Sequence, residues 1–526
     1  MAAKSKAKPH PHKTAAHRPA TNPPSGQTAN THGAQSAPSR PAGAADSADD
    51  SGWTPQGSEV GIRVRMYRVG FGDFFLVTCQ PKPQDYVHFI IDCGVFKGTS
   101  QTGDIGSIEL AVASMAATVK EGEIALIMCT HRHADHIAGF ARCAETFRQL
   151  TVQAVWMSIW ESQYPQALKF QADLVDTAAK LQTRFAQLGA AASEDQNTAR
   201  KFMENATGET GAGSNANALN LLKSFPGAPP SYYQGGQSPV LPPAFQQAGI
   251  TARILGPPPI ADVQLMKLMD LQKGVGQYLD SPMAVDPKAD APFGTIWEVD
   301  VGEFYPPEAF AEWCSVRGVA ESPSQQAAAE ARQLMQEALQ DAQPDAALVA
   351  AADLNSFLNN QSLVVLFTFK GKNLLFVGDA QAGNWEHWIF ATDDPDKKAS
   401  GTISEDAQKI LTNLDFYKVG HHGSGNATPI AVVNLMNKAS HKFPAMCSTQ
   451  EGVYGKENPH DPTAGTEVPR IPLLNALGAA TALVRSDQIA IDVPSDKGAA
   501  MVNEPLPNAT VGTRFQQGAL WIDCFL

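Results

Sequence analysis

The sequence predicts an α/β sandwich. Two strand-rich halves are separated by helical and loop sequence, and in each half the strands run straight into clusters of polar, chemistry-bearing residues. In the first half a β-meander (IRVRMYRV, FFLVTC, VHFIIDCG) precedes the apolar run 123–129, which opens into THRHADH and then the helical stretch IAGFARCAETF. In the second half SLVVLFTFKGKNLLFVGDA reads as a hairpin turning at Gly371 and ending at Gly378-Asp379, and DFYKVGHHGSG as a strand running into His421 and His422. Two such halves suggest a duplicated βαβ-type arrangement, and no short-period repeat competes with it.

The remaining elements follow in order. IRVRMYRV alternates as a half-buried strand, whereas 123–129 is continuously apolar and reads as a strand buried on both faces. A strand is expected over 151–157, helical spacing over 163–187, and loop over the Gly, Asn, Ser and Pro-rich stretch 205–243. ITARILG (250–256) is a strand stopped by Pro257-Pro258-Pro259, 324–342 is a helix by propensity, and 443–449 is a strand before the loop that holds His460. The expected organisation is therefore one domain over 58–526 with largely helical or loop insertions at about 160–245 and 258–355, which would cover one rim of the site. Residues 1–57 show neither helical nor strand period and bury too little apolar surface to offset ordering entropy, so a disordered basic tail is expected. Its His10, His12, His17 and His32 lack fixed geometry and read as part of a solvated leader.

Composition narrows the function classes. Of 526 residues, 43% are hydrophobic and 18% charged, enough for a sizeable core. No apolar run approaches the roughly 20 residues of a membrane span, and the basic start is followed by no apolar signal core, so a cytoplasmic protein is expected. Seven cysteines without a CxxC pair read as reduced thiols, Cys93 and Cys129 lying inside apolar runs. The net charge is -13, yet Lys4, Lys6, Lys8, Lys13, Arg18 and Arg40 lie in a first segment without acids, so the body is more acidic still. That argues against sequence-independent nucleic-acid binding through a basic surface but leaves a small phosphodiester open.

His131, His133, Asp135 and His136 carry the chemistry. With 13 histidines in the chain, three His and one Asp in these slots arise by chance in roughly 4 of 10,000 such sequences. In an extended loop i and i+2 project to one side, so His131 and His133 can pinch one ion, while Asp135 and His136, at the turn into the helix, can serve a second. Imidazole nitrogen with carboxylate oxygen suits Zn²⁺ and also accepts Mn²⁺ or Fe²⁺. Any one of these histidines alone would more simply be a hydrogen-bonded loop residue. Together they would concentrate desolvation cost without purpose.

THRHADH resembles the THxHxDH signature of the metallo-β-lactamase superfamily. The other segments resemble its ComEC-type branch, the hydrolase domain attached to bacterial DNA-uptake channels and its stand-alone relatives: VGFGDFFLV its opening VGQGD strand, IIDCG its second strand, NNQSLVVLF its NNxSLVL strand, FVGDA its metal-bridging aspartate motif and YKVGHHGS its HHGS segment. The resemblance covers 61 to about 492 and implies an αββα sandwich with one or two ions, His131 and His133 on the first, Asp135 and His136 on the second, Asp379 bridging, and His460 of ENPHDPT as a last ligand. One of His421 and His422 would ligate metal and the other contact substrate or act as general acid; with Asp135 these are the catalytic candidates. The superfamily's further histidine for the first ion has no counterpart between His136 and His387. Asn359 or Asn360 stands near its place, so the first ion is expected to be the looser.

A bound ion lowers the pKa of its water from near 16 to about 7, so the expected activity is hydrolysis by metal-activated hydroxide, of a phosphodiester such as a nucleotide or nucleic acid. Hydrolysis of a thioester or lactone, and a non-catalytic regulatory module on the same scaffold, are the alternatives. Asp73 and Asp92 are read as turn residues that can also orient ligating histidines. His88, His387 and His441 are read as structural, and Trp156, Trp385 and Trp388 as core before pocket floor.

Overall fold

A computed structural model describes residues 60–96, 107–119, 122–187, 215–266, 357–390, 402–454, 467–487, 514–518 and 520–526. The tail 1–57, the 324–342 helix and His460 lie outside the described residues.

The chain adopts an α/β fold with mixed sheets. β1 (Ile62–Tyr67), β2 (Phe74–Lys82) and β3 (Asp85–Cys93) form the antiparallel meander expected from their alternation. The apolar run after them divides into β4 (Glu123–Ile124) and β5 (Leu126–Cys129), and the next into β6 (Thr151–Val152) and β7 (Val155–Ser158). β4 and β6 pair apart, while β5 and β7 extend the main sheet in parallel from β3. Its full order is β15-β16-β1-β2-β3-β5-β7-β8, with β8 at Pro230–Tyr233 and, from the far end of the chain, β15 (Phe515–Gln517) and β16 (Trp521–Phe525).

The second sheet has the order β14-β13-β12-β11-β10-β9. β9 (Thr251–Gly256), β10 (Val364–Phe369) and β11 (Lys372–Phe376) are antiparallel, and β12 (Phe416–Lys418), β13 (Pro444–Cys447) and β14 (Ala482–Arg485) continue in parallel. Lys370 and Gly371, at φ 47° and 80°, make the tight β10–β11 turn with both central residues in the left-handed region. Val64, Phe75, Phe89 and Trp156 of the first sheet share one buried cluster with Val365, Phe367, Phe376 and Met446 of the second, so the two sheets face each other. The outer face of the first is covered by helices Ile108–Thr118, Ala134–Arg142 and Asn215–Leu222. That of the second is covered by Ala382–Ile389, Glu405–Thr412, Ile430–Met436 and Ile471–Ala480. The antiparallel-then-parallel progression occurs in both sheets, and the polar motifs all leave the carboxyl ends of parallel-paired strands β3, β5, β11, β12 and β13.

Three features depart from the sequence expectation. The stretch 205–243 is not all loop: it holds the helix Asn215–Leu222 and β8, an edge strand that pairs in parallel with β7, and just beyond it Phe245 packs between the sheets against Phe89. Pairing with a ready-made edge overrides a Pro-rich local composition. β1 is buried along its whole length, its arginines included. β16 lies beside it and supplies Asp523, which takes Arg65 in a two-pronged pair at 2.7 and 2.8 Å while Trp521 stacks on the guanidinium at 3.9 Å. That strand, beyond the last recognisable motif, had no signal of its own.

Trp156 and Trp385 are fully buried in the cores and Trp388 nearly so, as their type suggests. Among the described residues, no helix is long and apolar enough to cross a membrane. His88 lies 3.0 Å from Thr78 Oγ1, and burial together with the Arg63 and Arg65 charges lowers its pKa to about 3. The unfolded chain binds a proton there near pH 6.5, so this group's stabilisation is full above that pH and is lost as pH falls toward 3. His88→Gln, which keeps a hydrogen bond to Thr78, is therefore expected to flatten the acid limb of the stability profile between pH 6.5 and 4. The change lies below the one-proton limit of about 1.4 kcal/mol per pH unit, because the ring is only partly enclosed. Urea midpoints across that range test it, and an unchanged slope counts against it.

Candidate metal centre

The residues of the centre lie at or just beyond the ends of strands, Asp135 and His136 in the first turn of the helix that follows β5. Asp92, near the end of β3 at φ 54°, accepts the Thr130 backbone N–H (2.7 Å) and hydroxyl (2.6 Å), tying the His-rich loop to β3. Asp92 Oδ2 is also 2.8 Å from His136 Nδ1. His133 has extended backbone and its carbonyl accepts the N–H groups of His136 and Ile137, so the loop turns into a helix with Asp135 in its first turn. Asp379 follows β11 across Gly378, its backbone N–H donating to Ser362 Oγ at 3.0 Å. His421 and His422 follow β12 with φ of 44° and 52°, and that left-handed pair aims the two rings apart.

The ligand atoms of Asp135, His136, Asp379 and His422 lie within 4.8 Å of one another, all four residues being buried. The separations are 3.1 Å for His136 Nε2 to Asp379 Oδ2, 3.1 Å for His422 Nε2 to Asp135 Oδ2, and 3.6 Å for His422 Nε2 to Asp379 Oδ2. A tetrahedral ion held at about 2.1 Å would set its ligands about 3.4 Å apart, close to these three separations. The chemistry of the donors agrees: His131, His133 and His136 all have a buried Nε2 without a hydrogen-bond partner, as does Asp379 Oδ2, although buried polar atoms are nearly always paired. His136 Nε2 and Asp379 Oδ2 are close without being aligned as donor and acceptor, which is how two ligands of one ion stand. These buried His and Asp groups can hold a metal ion.

The electrostatics are those of a site built for positive charge. Burial opposes a charge on His136, yet the carboxylates of Asp379, Asp92 and Asp73 raise its pKa well above the ordinary histidine value. Burial likewise opposes ionisation of Asp379, but His136, His422 and Lys418 hold it well below the usual carboxylate range. His131 and His133 are pushed the other way, the first well below the ordinary value and the second to about 4, by burial first and then, against the pull of Asp135 on His133, by neighbouring histidines. The shift favours the neutral imidazole in both, the form that binds metal.

Of the sequence candidates, His131, His133, Asp135, His136, Asp379 and His422 come together, with His131 ring centroids 4.5 Å from His133 and 4.2 Å from His136. His131 and His133 flank the four-residue group without belonging to it. The sequence left open which of the adjacent histidines stands with the ligands; His422 belongs to the four-residue group and His421 does not. The His421 ring instead meets Asn426 Oδ1 (3.1 Å), Gln381 Nε2 (3.0 Å) and Asn359 Nδ2 (3.3 Å). Asn359 holds His421 through its Nδ2 while its buried Oδ1 has no partner, and Asn360 is bonded to the Met266 carbonyl and the Asn384 N–H. Asp92 proves to be a partner of a candidate ligand rather than a turn residue alone. His441 lies 3.5 Å from Asp415 near the surface, and His387 lies against Gly235, both away from the centre.

Sequence reasoning missed Lys418. Its buried ammonium is in direct ionic contact with Asp73, donates to the Gly378 carbonyl at 2.9 Å and lies 3.5 Å from Asp379 Oδ1. A lone lysine inside a strand that otherwise reads as buried was the available signal. Ser448 was also missed: its carbonyl, 2.8 Å from His422 Nδ1, orients that ring. No protein-family model matches the chain, and neither does any curated protein.

Proposed function

We propose that the chain is a metal-dependent hydrolase of the metallo-β-lactamase αββα type, acting on a phosphodiester of a nucleotide or nucleic acid with Zn²⁺, or Mn²⁺ or Fe²⁺ in its place. The observation that carries the reading is the convergence of four buried ligand atoms, within 4.8 Å of one another, from Asp135, His136, Asp379 and His422. The paired sheets with helices outside support the fold, and the VGFGDFFLV, FVGDA and YKVGHHGS segments support the phosphodiester class. A divalent ion there supplies a Lewis acid and an acidified water. The protein's own residues do the rest. Asp92 and the Ser448 carbonyl fix the rings of His136 and His422, Lys418 holds Asp73 and Asp379 in place, and His421, outside the ligand group and half-buried, is the residue we assign to the substrate.

Assays of the purified protein with bis-p-nitrophenyl phosphate, single-stranded DNA and a thioester, with and without Zn²⁺ or Mn²⁺, test the reading. Metal-dependent turnover of the phosphodiesters is expected, turnover of the thioester alone moves the substrate class, and no turnover with any arm favours a non-catalytic module. The adjacent histidines sharpen the test. His422→Ala is expected to lose metal and activity together. His421→Ala is expected to keep its metal and lose about 10²- to 10⁴-fold in turnover. Equal metal loss in the two variants overturns that division.

A further inference from the structure

Most of the site's histidines have Nδ1 engaged by a fixed group. For His131 the partners are Ser362 Oγ and Thr130 Oγ1, at 3.3 and 3.2 Å; for His136 it is Asp92, and for His422 the Ser448 carbonyl. Partners of this kind set the orientation of a ligating imidazole. His133 differs. Its ring is 3% exposed, its Nε2 has no partner, and among the described residues no hydrogen bond reaches its Nδ1. With no such bond to fix it, the ring's orientation rests on its backbone and on its packing against His131.

The backbone is pinned on both sides. After His133 the chain is held by the helix that its carbonyl begins. Before it stands Arg132, and because side chains alternate in an extended loop, Arg132 points away from the face on which His131 and His133 meet. Its guanidinium grips Glu161 with both prongs, Nε to Oε1 at 2.6 Å and Nη2 to Oε2 at 2.7 Å, and Glu161 is 2% exposed. The Arg132 carbonyl in turn accepts from Asn215 Nδ2 at 2.8 Å. The residue between the two histidines is thus clamped by the short turn Ile159–Glu161 after β7 and by the helix Asn215–Leu222.

We infer that the Arg132–Glu161 pair is the positioning element for His133. It takes the place of the hydrogen bond that the ring lacks, so that an ion bound beside the four-residue group through the unpartnered His133 Nε2 would depend on a carboxylate that touches no ligand atom. A bidentate guanidinium fixes direction as well as distance, which a lysine ammonium cannot reproduce. The inference rests on the metal-centre reading above. It also gives Glu161 and Asn215, which lie in the stretch of about 160–245 expected from the sequence to be insertion, a defined task at the site.

The test is Co²⁺ titration of the full-length protein, read by visible absorption, for the wild type, Glu161→Gln, Arg132→Lys and His133→Ala, with thermal melts in excess chelator alongside. Glu161→Gln is expected to weaken by about 10- to 100-fold the same binding step that His133→Ala abolishes, with a changed Co²⁺ spectrum. Arg132→Lys should fall between it and the wild type. Should Glu161→Gln not fold, Arg132→Met/Glu161→Leu removes both charges at similar volume and carries the same expectation. Unchanged Co²⁺ affinity in Glu161→Gln beside a weakened His133→Ala overturns this inference alone, as does a lowered chelator melt without a change in affinity. Wild-type protein that takes up no Co²⁺ overturns the metal-centre reading itself.

Discussion

Asparagine in place of Asp379 is expected to strip the centre of its metal and to lower phosphodiester turnover by about 10³-fold or more. The two carboxylate oxygens have different tasks. Oδ1 faces donors, the His421 backbone N–H at 3.1 Å and the Lys418 ammonium at 3.5 Å. Oδ2 has no partner and points at the His136 and His422 nitrogens. An amide keeps the shape but cannot serve both sides. With its oxygen toward Lys418, its NH₂ presents protons where a lone pair is needed; reversed, the NH₂ meets two other donors. Lys418 retains Asp73, so the variant should fold. Metal content after dialysis and turnover of bis-p-nitrophenyl phosphate are the measurements, and a variant that keeps both at wild-type level would remove Asp379 from the chemistry.

Gly94→Ala is expected to displace the His-rich loop and strip the centre of its metal. A Cβ at position 94 would stand 2.2 Å from the Asp135 carbonyl carbon and the His136 nitrogen, both backbone atoms of the metal loop. The loop is also fastened there, since Gly94 N–H donates to the Asp73 carbonyl (2.9 Å) and Asp73 N–H to the Asp135 carbonyl (2.8 Å). It cannot yield without carrying Asp135 and His136 out of the ligand group. Destabilisation of about 3 kcal/mol or more, with loss of metal, is expected by urea denaturation and metal analysis. The contrast is Gly452→Ala, where a Cβ would meet nothing within 4 Å: only the cost of its left-handed φ of 78° is expected, about 1 kcal/mol, with metal retained. Equal effects at the two positions would show that the contact at Gly94 is not what matters.

Much of the centre was legible because its chemistry is concentrated in short motifs. His131, His133, Asp135 and His136 lie within six residues and announce themselves by composition, and Asp379 and the adjacent histidines stand at the ends of apolar runs, where strand period gives way to turn residues. What escaped was carried by single residues whose partners are remote in sequence. Lys418 gains its meaning from Asp73, Glu161 from Arg132, and the buried arginines of β1 from Asp523 on the last strand.

The sequence by itself determined the alternation of strands and helices, the hairpin at Gly371 and the stock of metal-binding side chains, because each depends on residues near one another in the chain. Only the tertiary structure decided that His422 and not His421 joins Asp135, His136 and Asp379, that β8 and β16 complete the first sheet, and that Arg132 beside His133 pairs with Glu161. The physical reason is the same in each case. Which way a ring points, which edge a short strand finds and which buried charge is neutralised are set by packing between segments far apart in sequence, and local propensity carries no term for them.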